Sequence, residues 1–136
     1  MNKVFLYGLG DKQSDYKSLS KHFYIPKINW NTVKIEKMPK EVGVLAGFSM
    51  GACLAIDYAM KHRVKKLVLC SLPPGIESLE NIKAGEIVFM AGEKEKWVIE
   101  DMARLRTKNQ LIISVRDTGH KINKAYREEL LKISGA

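Results

Sequence analysis

The sequence predicts an α/β protein, a three-layer sandwich with a mostly parallel sheet of about six strands, and three observations carry that prediction. Short β-branched runs alternate with stretches of helical periodicity. Each run is apolar almost throughout and closes on Gly, Ser or a polar turn, as a parallel strand covered on both faces does. The 136 residues, 46% hydrophobic and 28% charged, suffice for one such core and exclude a disordered or fibrous chain. With no internal repeat, low-complexity tract or linker, residues 1–136 read as a single domain.

The first strand is expected at Lys3–Tyr7, and Ser14 or Asp15 then caps a helix carrying Tyr16, Leu19 and Phe23. Residues 22–41 are less regular. Val33 and Ile35 alternate like a strand, yet Met38, Pro39 and Lys40 leave little room for a crossover before Val42, and parallel neighbours need roughly ten or more connecting residues. A second strand is therefore expected near His22–Pro26, followed by a crossover through 27–41 that holds at most a short helix. Val42–Ala46 forms the third strand, and Ser49–His62 the helix after it, with Leu54, Tyr58 and Met60 among its larger side chains. Strands at Lys66–Cys70, Glu86–Met90 and Leu111–Val115 follow. A helix over about Trp97–Thr107 separates the last two, and a final one, Ile122–Ile133, places Ile122, Tyr126, Leu130 and Ile133 on one face. Numbered along the chain, the strands would lie in the order 2-1-3-4-5-6, with a site at their carboxyl ends beside strand 3, where the order reverses.

Charge and composition exclude several functions. The net charge of +8 is concentrated in residues 1–66, which hold twelve Lys or Arg against five acids. No aromatic-interleaved basic motif or recognition helix accompanies it, so a nucleic-acid partner is not expected and the excess reads as a solvated basic surface. The densest cluster, Lys61, Arg63, Lys65 and Lys66, precedes a strand and so lies at the far end of the sheet from the expected site. No stretch approaches the roughly 18–20 apolar residues of a membrane span. The first ten residues lack a signal-peptide cleavage pattern, and the cytoplasm is the expected location. Cys53 and Cys70, without CxxC spacing, read as buried thiols rather than a disulfide. No GKS or GKT phosphate loop and no HExxH is present, so neither cofactor nor metal is expected.

The chemistry concentrates in four turns. Gly47-Phe48-Ser49-Met50-Gly51 fits G-x-S-x-G with an expected strand before it and a helix after it, a context in which the glycines permit a strained turn that lifts a serine hydroxyl above the sheet. The hydroxyl is a poor nucleophile until a base takes its proton. His120, in the loop after the last strand, is the base candidate by position; His22 and His62 fall at helix ends. The orienting acid is expected in Gly92-Glu93-Lys94-Glu95 after the fifth strand, with Glu95 preferred and Glu93 and Asp117 still open. Two backbone donors are needed for the oxyanion: Met50 N–H immediately after the nucleophile, and Leu9 N–H in Tyr7-Gly8-Leu9-Gly10 after the first strand.

These motifs, in this order and over nearly the whole chain, resemble the α/β-hydrolase family. Tyr7–Gly10 is similar to its oxyanion loop, Gly47–Gly51 to its nucleophile elbow, Gly92–Glu95 to its acid turn, and Asp117-Thr118-Gly119-His120 to its histidine loop. The resemblance implies a truncated α/β-hydrolase fold and a serine hydrolase acting on a small-molecule ester or thioester, with Ser49, His120 and Glu95 as its triad. The alternatives it leaves are acyl transfer to another acceptor and a noncatalytic hydrolase-like binding module. Departures are Tyr7 where the family often has His, Glu95 where it usually has Asp, and the lack of its first two strands. The segment Ser71–Gly85, where members commonly insert a cap domain, is only fifteen residues long, so an open, lidless site is expected.

Overall fold

Strand β1 (Asn2–Leu6) opens the chain and pairs in parallel with β4 (Val42–Phe48), Val4 lying opposite Leu45 and Leu6 opposite Gly47. The computed structural model, which describes residues 2–105 and 110–135, continues the parallel sheet with β5 (Val64–Cys70), β6 (Ala84–Gly92) and β7 (Gln110–Val115). The order is β1-β4-β5-β6-β7. Central strands are apolar on both faces because helices cover them: β4 buries every residue except Val44, and β6 is buried from Ile87 to its end. Helix α1 (Met50–Lys61) packs on β4, β5 and β1. Its buried face is mostly small, with Gly51, Ala52, Ala55 and Ala59, which lets the helix backbone approach the sheet closely. Helix α2 (Lys96–Arg104) lies against β6 and β7, and α3 (Lys124–Ile133) against β7. The Asn123 side chain caps α3 by accepting from Tyr126 N–H, and α3 buries Tyr126 and Leu130 in the core. The expected end of the third helix at Thr107 lies outside the described residues.

The structure departs from expectation between β1 and β4. The strand expected at His22–Pro26 contracts to a single parallel bridge between Tyr24 and Val4. It lies beside β1, as the order required, but Pro26 has no N–H to extend the ladder, and the sheet has five strands rather than six. The expected helix through Tyr16, Leu19 and Phe23 is a 3-10 turn, Gln13–Tyr16, followed by further turns. Ser14, Ser18 and Ser20 are weak helix formers, and the Ser20 hydroxyl and Asp15 carboxylate bond to neighbouring backbone instead. Residues 27–41 hold no helix but a short antiparallel hairpin of β2 (Ile28–Asn29) and β3 (Lys34–Ile35). Asn29 Oδ1 closes its turn by accepting from Asn31 and Thr32 N–H.

The connection from β5 to β6, residues 71–83, contains neither helix nor strand, although Leu72 and Leu79 anchor it in the core. No helix among the described residues is long and apolar enough to cross a membrane.

Candidate active site

Phe48 ends β4 and Met50 opens α1, so Ser49 alone makes the turn between strand and helix. Its backbone sits at φ 56° and ψ −122°, a conformation that a residue with a Cβ rarely adopts. Flanking glycines make the turn sterically possible. A Cβ on Gly47 would lie 2.3 Å from the Gly51 carbonyl oxygen, and one on Gly51 would lie 2.1 Å from that of Leu6 in β1. Ser49 N–H donates to the Cys70 carbonyl at 2.8 Å, tying the turn to the end of β5. Ser49 thus stands at the carboxyl edge of the sheet and at the N-terminus of α1, whose first N–H groups lack intrahelical acceptors.

His120 enters from the loop after β7. Its Nε2 is 3.2 Å from Ser49 Oγ, and its Nδ1 is 2.6 Å from Glu95 Oε2. An ionised carboxylate only accepts, so a neutral imidazole paired with it through Nδ1–H would present the Nε2 lone pair to the serine. The Phe48 ring packs against the imidazole with centroids 5.1 Å apart and is itself met edge-on by Tyr126. That contact limits how far the half-exposed imidazole can swing.

Glu95 occupies the N-cap position of α2 yet makes no side-chain cap. Its carboxylate turns inward instead: Oε1 accepts from Gly92 N–H at 2.9 Å and from the Ser71 hydroxyl at 2.7 Å, which leaves Oε2 for His120. Only 5% of Glu95 is exposed. The acid turn and the histidine loop close on one another, since Lys94 N–H donates to the Thr118 carbonyl and a Cβ on Gly92 would lie 2.1 Å from that same oxygen. Glu93 and Asp117 are both exposed and face each other, Asp117 N–H donating to Glu93 Oε1 at 3.3 Å. His62 ends α1 and stacks on Tyr58, and His22 lies exposed among the turns beside β1. Neither belongs to this cluster.

Behind Glu95 the hydrogen bonds continue. Ser71 Oγ is 2.9 Å from the Tyr126 hydroxyl, which also lies 3.2 Å from the Met90 carbonyl oxygen. Burial pushes the neighbouring Cys70 thiol up to about 12 and holds the Tyr126 hydroxyl well above its ordinary range, so both groups are neutral. Sequence reasoning took Tyr126 only as a core residue and Ser71 only as the start of a short loop. A lone Ser after an apolar strand is too common a signal to single out.

Met50 lines a cleft of about 320 Å³ together with Ser49 and His120, and its other walls are Leu72, Pro73, Pro74, Trp97 and Val98. Trp97 is 60% exposed at its rim. Leu9, also exposed, follows Gly8 in the turn after β1, and a Cβ on Gly8 would lie 3.5 Å from the Phe48 carbonyl oxygen, so that turn borders the Ser49 turn. A larger hollow of about 430 Å³, beside Lys12 and Lys27, is lined by no histidine.

No family model matches the chain, and no curated protein matches it in sequence. Solved structures do match. A monoacylglycerol lipase from Paleococcus ferrophilus is similar at a TM-score of 0.63 and 14% identity, over 97% of this chain and 91% of that one. A phospholipase/carboxylesterase from Dyadobacter fermentans follows at a TM-score of 0.60 and 18% identity, over 98% of this chain and 88% of that one. An α/β serine hydrolase without a lid from Xanthomonas campestris matches over 68% of this chain and 43% of its own, at 19% identity and a TM-score of 0.49, so the chain spans less than half of that protein. At these identities the likeness is one of fold.

Proposed function

We propose that this chain, whose fold is that of the α/β-hydrolases, is a serine hydrolase that cleaves a small carboxylic ester or thioester through an acyl-enzyme on Ser49. The observation that carries the reading is the chain of hydrogen bonds from Ser49 Oγ through His120 to a buried carboxylate of Glu95, set at a strained strand-to-helix turn. In this mechanism His120 Nε2 takes the Ser49 proton as Oγ attacks the acyl carbon. The oxyanion that forms is met by Met50 N–H at the start of α1 and by Leu9 N–H from the neighbouring turn. Glu95 holds the imidazolium in orientation. Collapse of the tetrahedral species breaks the bond to the leaving group, which leaves with the proton from His120. Water then enters, loses a proton to the same nitrogen as its oxygen bonds the acyl carbon, and the bond to Oγ breaks as His120 returns that proton to Ser49, releasing the acid. The apolar cleft walls suit the acyl portion, and its open mouth suits a leaving group that stays in solvent.

The test is covalent labelling with a fluorophosphonate followed by mapping of the modified peptide. Label on the peptide containing Ser49, abolished together with ester turnover in a folded Ser49→Ala variant, is the expected result. Labelling that survives the substitution removes Ser49 from the role, and absence of any labelling or turnover favours a binding module.

A further inference from the structure

Ser71 is fully buried and carries a backbone φ of 49°, in the left-handed region that favours glycine. Packing alone does not call for serine there: glycine would relieve the backbone, and an apolar side chain would suit the burial. What a hydroxyl adds is a hydrogen bond. Glu95, when ionised, accepts only, so the single Ser71 hydrogen goes to Oε1 at 2.7 Å. The 2.9 Å contact between Ser71 Oγ and the Tyr126 hydroxyl must then use the Tyr126 hydrogen, which the Met90 carbonyl also faces at 3.2 Å. Donation therefore runs one way, from Tyr126 in α3 to Ser71 after β5 to Glu95 before α2, and each bond in such a series polarises the next.

We infer that Ser71, fixed by Tyr126, is a positioning residue for the reaction proposed above: its hydroxyl holds Glu95 Oε1 so that Oε2 stays on His120 Nδ1. The inference rests on that functional reading for its meaning but not for its test. The groups that face the carboxylate are His120 from the histidine loop, Ser71 and Cys70 at the end of β5, Tyr126 from α3 and Gly92 N–H from its own turn. Without the Ser71 hydroxyl, Gly92 N–H alone would remain on Oε1. More of the negative charge would then fall on His120, and the imidazolium would be favoured to a higher pH.

The decisive variant is Ser71→Gly, which removes the hydroxyl while suiting the left-handed backbone, with Tyr126→Phe as its partner and thermal unfolding as the check on folding. The His120 imidazole is titrated by NMR in each protein, and turnover of p-nitrophenyl acetate is measured alongside. Ser71→Gly is expected to move the His120 midpoint to higher pH and to lower kcat by about tenfold with little change in KM, the scale of one hydrogen bond's net worth. Tyr126→Phe is expected to move both in the same direction by less. A His120 titration that is the same in the parent and in Ser71→Gly overturns the inference. Because that titration needs no turnover, it judges Ser71 even if Ser49 proves inert to fluorophosphonate, an outcome that would sink the hydrolase reading by itself.

Discussion

Among individual residues, the assignment with most to lose is that of the acid. Glu93 and Glu95 are two positions apart in a charged turn after the same strand, so the sequence favours Glu95 only by its greater distance from the strand end and leaves Glu93 open. The fold separates them through the start of α2: Glu95 at the N-cap points inward to Gly92, Ser71 and His120, while Glu93 points out to Asp117 N–H. Glu95→Gln is accordingly expected to lower turnover of an activated ester by about two to four orders of magnitude, through loss of the partner that orients the base. Glu93→Gln and Asp117→Asn are expected to change it little, since an exposed charge couples weakly to the site. Rates for the three variants on one substrate, with circular dichroism to exclude unfolding, decide the ranking; a severe loss confined to Asp117→Asn would transfer the role. Ser49 and His120 were legible because each stands in a turn whose neighbours in sequence advertise it. Ser71 and Tyr126 were not, because their significance lies in a contact between residues 55 positions apart.

For the secondary-structure elements, the interlock of α1 with β1 has a measurable cost when disturbed. A Cβ on Gly51 would press on the Leu6 carbonyl, which neither strand nor helix can move without breaking the β1–β4 ladder, whereas a Cβ on Gly119 would meet nothing within 4 Å. Gly51→Ala is expected to destabilise the protein by at least about 1–3 kcal/mol in urea unfolding, the usual range for overpacking, and Gly119→Ala to leave it nearly unchanged. Equal stability of the two variants would mean that the elbow is looser than its geometry implies. The elements that sequence reading recovered are those with one dominant signal: β4, β5 and β6 are apolar on both faces, and α1 is bounded by Ser49 and His62. Those it missed are decided by competition. Around Phe23 and Ile25 an alternating pattern suits a strand and both side chains are buried, but Pro26 limits the pairing to one bridge. Val33 and Ile35 alternate as a strand does, yet only Ile35 enters one, paired antiparallel with Ile28 in a hairpin that needs no crossover, while Val33 stands exposed in the turn at φ 54°.

For the molecule as a whole, the plain link between β5 and β6 places no helix or strand over the Ser49 cleft among the described residues. Across a series of p-nitrophenyl esters, kcat/KM is expected to be highest for short acyl groups and to fall as the chain outgrows the space between Pro73, Pro74 and Trp97. A rise toward long chains, with activation at lipid interfaces, would contradict this. The single bridge at Tyr24 has a different consequence, one of local stability. On its inner side β1 is laddered to β4, but on its outer side, among the described residues, only Phe5 N–H to the Tyr24 carbonyl and Tyr24 N–H to the Lys3 carbonyl hold the next segment by backbone. That segment also buries Leu19, Phe23 and Ile28, so it would come away as one cooperative unit rather than fray, at a free energy below that of global unfolding. Leu9 stands at the hinge of that unit, whereas Ser49, Glu95 and His120 belong to the better-laddered remainder. Mild denaturant would therefore loosen the turn proposed to supply the Leu9 N–H while Ser49, His120 and Glu95 were still assembled.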